Sequence, residues 1–357
     1  MTTGLDGVVA ADTVMSHVDG AGGRLILRGR PLEAVAGRLD FAAVVALLWR
    51  GFAPEADDPA GLAAMLGEAR VRAQARLTGL LPAAAGLTPV EGLRLLLAGL
   101  PDDDPMPAHL LAVGAMPVFV AALGRLSTGA APVPPDPTLG HAEDFLRMLA
   151  GAPAAADRVA ALDTYLTTVA DHGFNASTFA ARVIASTRAG TVSAVVGALC
   201  ALKGPLHGGA PGPVLDMLDA IGSEADIGPW LAARLAAGER LMGFGHRIYK
   251  VRDPRADVLK DVVRRFGGDR IAFAERVEAE ALRALARHKP GRPLSTNVEF
   301  YTALVLEAVG LPRALFTPVF AIGRAAGWTA HILEQEQTGR LLRPLARYVG
   351  PTPDDAA

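Results

Sequence analysis

The stretch Leu110 to Leu123, LLAVGAMPVFVAAL, is the most apolar window of the chain. A membrane-spanning helix needs about 20 apolar residues. This window has 14, carries Pro117 in its middle and is bounded by His109 and Arg125, so it predicts a helix buried in protein. Outward from it the helical pattern recurs. Asp40 precedes the apolar stripe Phe41 to Trp49 as a cap, and Thr88-Pro89-Val90-Glu91 reads as an N-cap, a first-turn proline and a reciprocal carboxylate. Asp157 to Val169 and Ser177 to Thr187 repeat the period. Only residues 7 to 30 differ: Val8-Val9-Ala10 and the alternation from Gly23 to Gly29 predict short strands and turns.

Ala131 to Pro137, Lys203 to Val214 and Met242 to Lys250 read as loops, the last two glycine-rich and each holding a histidine. From Ala232 to His288 charge density rises, as in a smaller lobe of exposed amphipathic helices. The tail Pro351 to Ala357 reads as frayed, and no fixed repeat is visible.

Composition narrows the function. At roughly 150 residues per domain, a chain of 357 residues predicts two domains with a large core. A hydrophobic share of 51% against 20% charged residues excludes an intrinsically disordered chain. The balance of 35 basic and 37 acidic residues argues against a dedicated nucleic-acid binder. A single cysteine, Cys200, excludes a disulfide framework or a cysteine-based zinc site and fits a reducing, cytoplasmic setting. The first residues show no basic segment followed by an apolar one, so neither a signal peptide nor a membrane partner is expected.

No zinc-protease, phosphate-loop, nucleophile-elbow or C-x-x-C motif is present, and Gly243-Phe244-Gly245 lacks the rest of a dinucleotide fingerprint. No metal site is expected. What remains is His172 in DHGFNAST, His207 in GPLHGGA and His246 in GFGHRIYK. Glycines beside His207 and His246 let the backbone approach a ligand, although turn chemistry alone would also use them. His17, His109, His141 and His288 read as ordinary surface or core imidazoles. Arg324 sits in an apolar helix, where it needs either an internal carboxylate or a substrate one. Arg247 and Arg252 read as a solvated face, with Arg255 beyond them and Arg343 before Pro344. Several arginines with histidines and no metal motif point to a small polycarboxylate. Glu299 follows a possible cap at Ser295 or Thr296. It is either dipole complement in a first helical turn or a base tuned by burial.

Taken together these segments resemble the citrate synthase family. The resemblance runs from GLDGVVAADTVMSHVDGAGGRLILRGRPLE through DHGFNASTFAARVIAST, LKGPLHGGA and GFGHRIYKVRDPRA. It continues through NVEFYTALVLEAVGLPRALFTPVFAIGRAAGWTAHILEQ to RPLARYVGP, in the family's order and spacing. It implies an all-α, two-domain helical fold with a short N-terminal β/turn segment. Residues 1–208 and 311–357 would form a large domain, and 209–310 a small one closing over the substrates. It implies condensation of acetyl-CoA with oxaloacetate to citrate and CoA, with no tightly bound cofactor, in a homodimer with shared active sites. The alternatives are 2-methylcitrate synthase, taking propionyl-CoA, or a weakly active paralogue that binds CoA or a tricarboxylate.

By the same resemblance His207, His246 and Glu299 are catalytic. His172, Arg255, Arg324 and Arg343 bind oxaloacetate, Arg343 reaching in from the neighbouring subunit. Gly243, Gly245, Lys250 and Asn297 lie along CoA. Two departures stand out. Glu299 occupies the place of the family's usual aspartate, and Pro211 that of an asparagine after His-Gly-Gly-Ala.

Overall fold

A computed structural model of the chain describes residue 5 and residues 7–207, 211–246, 248–291 and 294–351, with Pro211 as backbone only. Arg247, the two glycines after His207 and the end of the tail lie outside the described residues, as does the Pro211 side chain. The expected all-α fold holds. Three short antiparallel strands, β1 (Ser16–Asp19), β2 (Arg24–Leu27) and β3 (Arg30–Pro31), precede α1 (Phe41–Trp49), α2 (Pro59–Leu80), α3 (Pro89–Ala98) and α4 (Ala108–Leu126). Then come α5 (His141–Ala150), α6 (Ala156–Thr168), α7 (Ala176–Ser186), α8 (Thr191–Leu202) and α9 (Pro211–Ile221). The last are α10 (Ile227–Ala236), α11 (Pro254–Phe266), α12 (Asp269–His288), α13 (Val298–Val309) and α14 (Phe316–Thr338).

Local chemistry sets the early boundaries. Asp40 caps α1 by accepting the Ala43 N–H at 2.7 Å. Thr88 and Glu91 form the reciprocal capping box of α3. The apolar window extends in both directions into α4, whose 19 residues are long and apolar enough to cross a membrane. It lies instead in the protein core, with 83% of its apolar window buried and α2, α3, α5 and α14 around it. The loop predicted over 203–214 ends early, because Pro211 opens α9.

Helix α14 is buried along most of its length, and the residues just after α6 press against it. A Cβ at Gly327 would fall 2.4 Å from the Ala170 carbonyl oxygen, so only glycine permits this approach. The N-terminal segment reaches the same helix. The Thr13 hydroxyl and the Val14 N–H donate to the Glu334 carboxylate at 2.7 and 2.8 Å, and Glu334 also pairs with the buried Arg182.

Candidate active site

The turn between α6 and α7 carries His172, which is buried. Its Nε2 lies 3.2 Å from the Tyr249 hydroxyl, and its ring meets that of His246 edge-on, 5.7 Å between centroids. Asn175 caps α7 by accepting the N–H groups of Ser177 and Thr178. The Ser177 N–H also donates to His207 Nε2 at 3.2 Å, with the Ser177 Oγ 2.8 Å from the same nitrogen. A backbone N–H can only donate, so His207 Nε2 is unprotonated and its ring proton sits on Nδ1. Burial, helped by the charge of Arg324, lowers the His207 pKa to about 4. His207 is therefore a neutral donor at neutral pH.

His246 is fixed in the opposite tautomer. Residues 243–245 zip against 295–297: the Gly245 N–H donates to Ser295 at 2.8 Å, and the Asn297 N–H donates to Gly243 at 2.9 Å. Gly243 and Gly245 both have φ near +83°, which favours glycine, and a Cβ on Gly243 would fall 2.8 Å from Phe300. Beyond this zipper the chain folds back. The N–H groups of Ile248 and Tyr249 donate to His246 Nδ1 at 3.0 and 3.1 Å. The neutral ring therefore carries its proton on Nε2, 3.4 Å from Arg255 Nη2. Burial, then the Arg255 charge, brings His246 down to about 4.

Arg255 stands in the first turn of α11 and is buried against Asp253, whose two oxygens accept its Nε and Nη2 at 3.0 and 2.7 Å. Burial works against the guanidinium charge, but Asp253 overrides it and holds Arg255 protonated. Asp253 also caps α11 and accepts the Val298 N–H at 3.2 Å, which joins Arg255 to the start of α13. Among the described residues no carboxylate forms an ion pair with Arg324, although the charge of Asp171 acts on it. Its Nε donates to the Val169 carbonyl at 2.6 Å, its guanidinium lies over Phe320, and burial drops its pKa to about 10.

Glu299 stands in the first turn of α13. The cap is neither Ser295 nor Thr296 but Asn297, whose carboxamide oxygen accepts the Glu299 N–H at 3.0 Å while its amide group donates to the Gly245 carbonyl at 2.9 Å. Thr296 is spent elsewhere, donating to the buried Glu278 at 2.6 Å. Burial pushes the Glu299 carboxyl up to about 7, against the opposing pull of Arg255.

The structure thus gathers His172, His207, His246, Arg255, Arg324 and Glu299. The charges of both arginines and the other two imidazoles act on His172, and that of Arg255 acts on Glu299. It does not bring Arg343 there: that side chain is exposed in the extended segment after α14. Lys250 is exposed at the end of the His246 loop. Arg252, expected on a solvated face, pairs with Glu278 and Asp257. Glu278 also accepts from Lys260, Thr296 and Tyr301. Burial raises it, but these partners hold it down to about 2. Sequence reasoning missed Asp253, Ser177 and Tyr249. Asp253 was the most legible of them, as an Asp-Pro pair opening a helix.

The described geometry has a close counterpart among known proteins. A family model described as citrate synthase, C-terminal domain, matches residues 4–345. The chain belongs to the citrate synthase family. It is accordingly an enzyme of the acyltransferase class. A Mycobacterium tuberculosis protein provisionally named citrate synthase 2 is 40% identical over 98% of this chain and 93% of its own length. The 2-methylcitrate synthase of the same species is 36% identical over 97% of this chain and 90% of its own. The crystal structure of citrate synthase from Thermotoga maritima superposes with a TM-score of 0.87 at 34% identity, covering 98% of this chain and 96% of that one.

Proposed function

We propose that this citrate synthase family member condenses acetyl-CoA with oxaloacetate to give citrate and free CoA. One observation carries the reading. His246 Nε2–H and Arg255 Nη2 are both donors and face each other across 3.4 Å, so they cannot satisfy one another. A ketone oxygen received between them would be polarised by both. In this reading the Glu299 carboxylate takes a proton from the acetyl methyl, and His207 Nδ1–H donates to the thioester oxygen as the enol forms. The enol carbon attacks the oxaloacetate ketone, His246 and Arg255 stabilise the developing alkoxide, and water then cleaves citryl-CoA. His172 and Arg324 hold oxaloacetate, and the guanidinium of Arg324 takes a carboxylate. Residues 209–310 act as the lid, with Gly243, Gly245, Asn297 and Lys250 along CoA. The enzyme works as a homodimer. The exposed tail that bears Arg343, with Leu345, Tyr348 and Val349 also exposed, supports its crossing to a second copy.

The purified protein is expected to release free thiol from acetyl-CoA only when oxaloacetate is present, and faster than from propionyl-CoA. Absence of turnover with both thioesters overturns the proposal; a higher kcat/KM with propionyl-CoA moves the assignment to 2-methylcitrate synthesis.

The base sets the pH dependence. A carboxyl with a pKa near 7 must lose its proton to act, so kcat/KM for the acyl-CoA should rise through pH 7 and level off above it. The His207 and His246 imidazoles, at about 4, stay neutral across that range. A profile flat from pH 5.5 to 8.5 contradicts Glu299 as the base.

Glu299→Asp should slow the enzyme. Asn297 pins the start of α13, so the shorter side chain withdraws its carboxylate by about 1 Å, which can cost roughly 10²-fold. A faster Asp variant would mean that the longer side chain is only tolerated. For the shared site, Arg343→Ala mixed with Glu299→Gln should recover activity, because each mixed pair holds one intact site. Mixtures as inactive as their parents would deny the crossing.

A further inference from the structure

The N-terminal β-hairpin touches both histidine loops, and the chemistry proposed above assigns it no part. At one end, the Ser16 Oγ donates to the Asp171 carboxylate and accepts the Gly173 N–H at 2.8 Å. These are the two residues flanking His172. Val18, next along the same face of β1, closes on this turn: a Cβ at Gly173 would lie 3.2 Å from its side chain. At the other end, the Lys250 N–H donates to the Gly20 carbonyl at 2.8 Å. A Cβ on Gly20 would fall 2.4 Å from the Ile248 carbonyl oxygen, and one on Gly23 would fall 2.7 Å from Val251. Ile248 and Tyr249 are the residues whose N–H groups hold His246 Nδ1.

Between its two grips the hairpin is stiff. β1 pairs with β2 from Ser16↔Leu27 to Asp19↔Arg24, and Met15, Leu25 and Leu27 are buried beneath it. Its turn is tied by the Gly22 N–H to Asp19 at 2.7 Å. A paired strand has a fixed rise of about 3.3 Å per residue, so the spacing between Ser16 and Gly20 cannot drift. Besides the hairpin, His172 itself meets the other loop, through Tyr249 and the edge of the His246 ring.

We propose that Ser16 and Gly20 are positioning residues for the condensation, the hairpin acting as a ruler that holds the His172 and His246 loops at the separation where both reach one molecule of oxaloacetate. The proposal deepens the functional reading above and rests on it. Because Gly20 meets a backbone carbonyl, a methyl group there cannot be absorbed by a side-chain rotation, and the His246 loop must shift. Ser16→Ala acts at the other end by freeing the turn around His172.

The test compares wild type, Ser16→Ala, Gly20→Ala, the double variant and Gly79→Ala, a control at a helical glycine whose added Cβ would meet nothing within 4 Å. Calorimetry with oxaloacetate, steady-state kinetics and amide exchange of the ligand-free protein are the readouts. Gly20→Ala is expected to weaken oxaloacetate binding by roughly 10- to 100-fold, with the KM for acyl-CoA much less affected. Exchange at residues 248–252 should rise with no ligand present, and Gly79→Ala should match wild type. Both single changes break one device, so the double variant should lose less than the product of the two losses. Losses that multiply independently, or oxaloacetate affinity unchanged in both variants, overturn the proposal while leaving the functional reading intact. A wild-type protein that fails to bind oxaloacetate overturns both.

Discussion

Replacing Glu299 by Gln is expected to cut turnover by roughly 10²–10⁴-fold, the usual worth of a positioned base. The amide keeps the size of the side chain and the backbone hydrogen bond to Asn297, but it cannot take a proton. Oxaloacetate affinity should change little, because the groups assigned to it are His172, His246, Arg255 and Arg324. Stability supplies the check that the fold survives. Burial raises the folded-state pKa of Glu299 from 4.5 to about 7, so its contribution is full below pH 4.5 and is lost as pH climbs through 7. The Gln variant should therefore match wild type in thermal midpoint near pH 4.5 and exceed it at pH 8. A dead enzyme with that stability crossover is the signature of a removed base. Unchanged kcat would show that Glu299 takes no proton.

Asp253→Ala should do broader damage. Its carboxylate holds Arg255 at two points, caps α11 and accepts the first N–H of α13. Removing one partner of a buried ion pair typically costs about 3–5 kcal/mol, since the other charge stays desolvated. Chemical denaturation should show a loss of that order. The orphaned Arg255 has a second carboxylate within its field, Glu299. Arg255 lowers the Glu299 pKa and Asp253 raises it, so deleting Asp253 should move the acid limb of the rate profile below 7. Asp253→Asn keeps an acceptor for Arg255 and should fall between the two. A stable Ala variant with an unmoved limb would reduce Asp253 to an ordinary helix cap.

Much of this was legible in the chain itself, for identifiable reasons. Helices such as α1 and α3 announce themselves through short-range signals, a cap and a periodic stripe, that survive any tertiary context. The two glycine-flanked histidines stood out because loop glycines next to a polar side chain are rarely needed for packing alone. The assignment of the α13 cap went astray because Ser, Thr and Asn all cap well. The choice fell to the residue that could also reach Gly245, a neighbour 52 positions away. Arg252 misled for the same kind of reason. Its partner Glu278 lies on α12, 26 positions away, and nothing local to Arg252 announces that half-buried pair. Arg343 is the opposite case: the resemblance assigned it to the site, whereas within this chain its side chain is exposed in the extended segment after α14.

The bond between Glu334 and the segment at Thr13 and Val14 joins positions 321 and 320 residues apart. During synthesis the segment leading into the hairpin has no Glu334 to hold until α14 has been made. Helices that need only near neighbours can form early, but the hairpin and the histidine loops it touches must wait for the segment at Thr13 and Val14 to meet α14. Activity should therefore lag behind helix content when the denatured enzyme is diluted into buffer, and chains cut short before α14 should remain inert however helical they become.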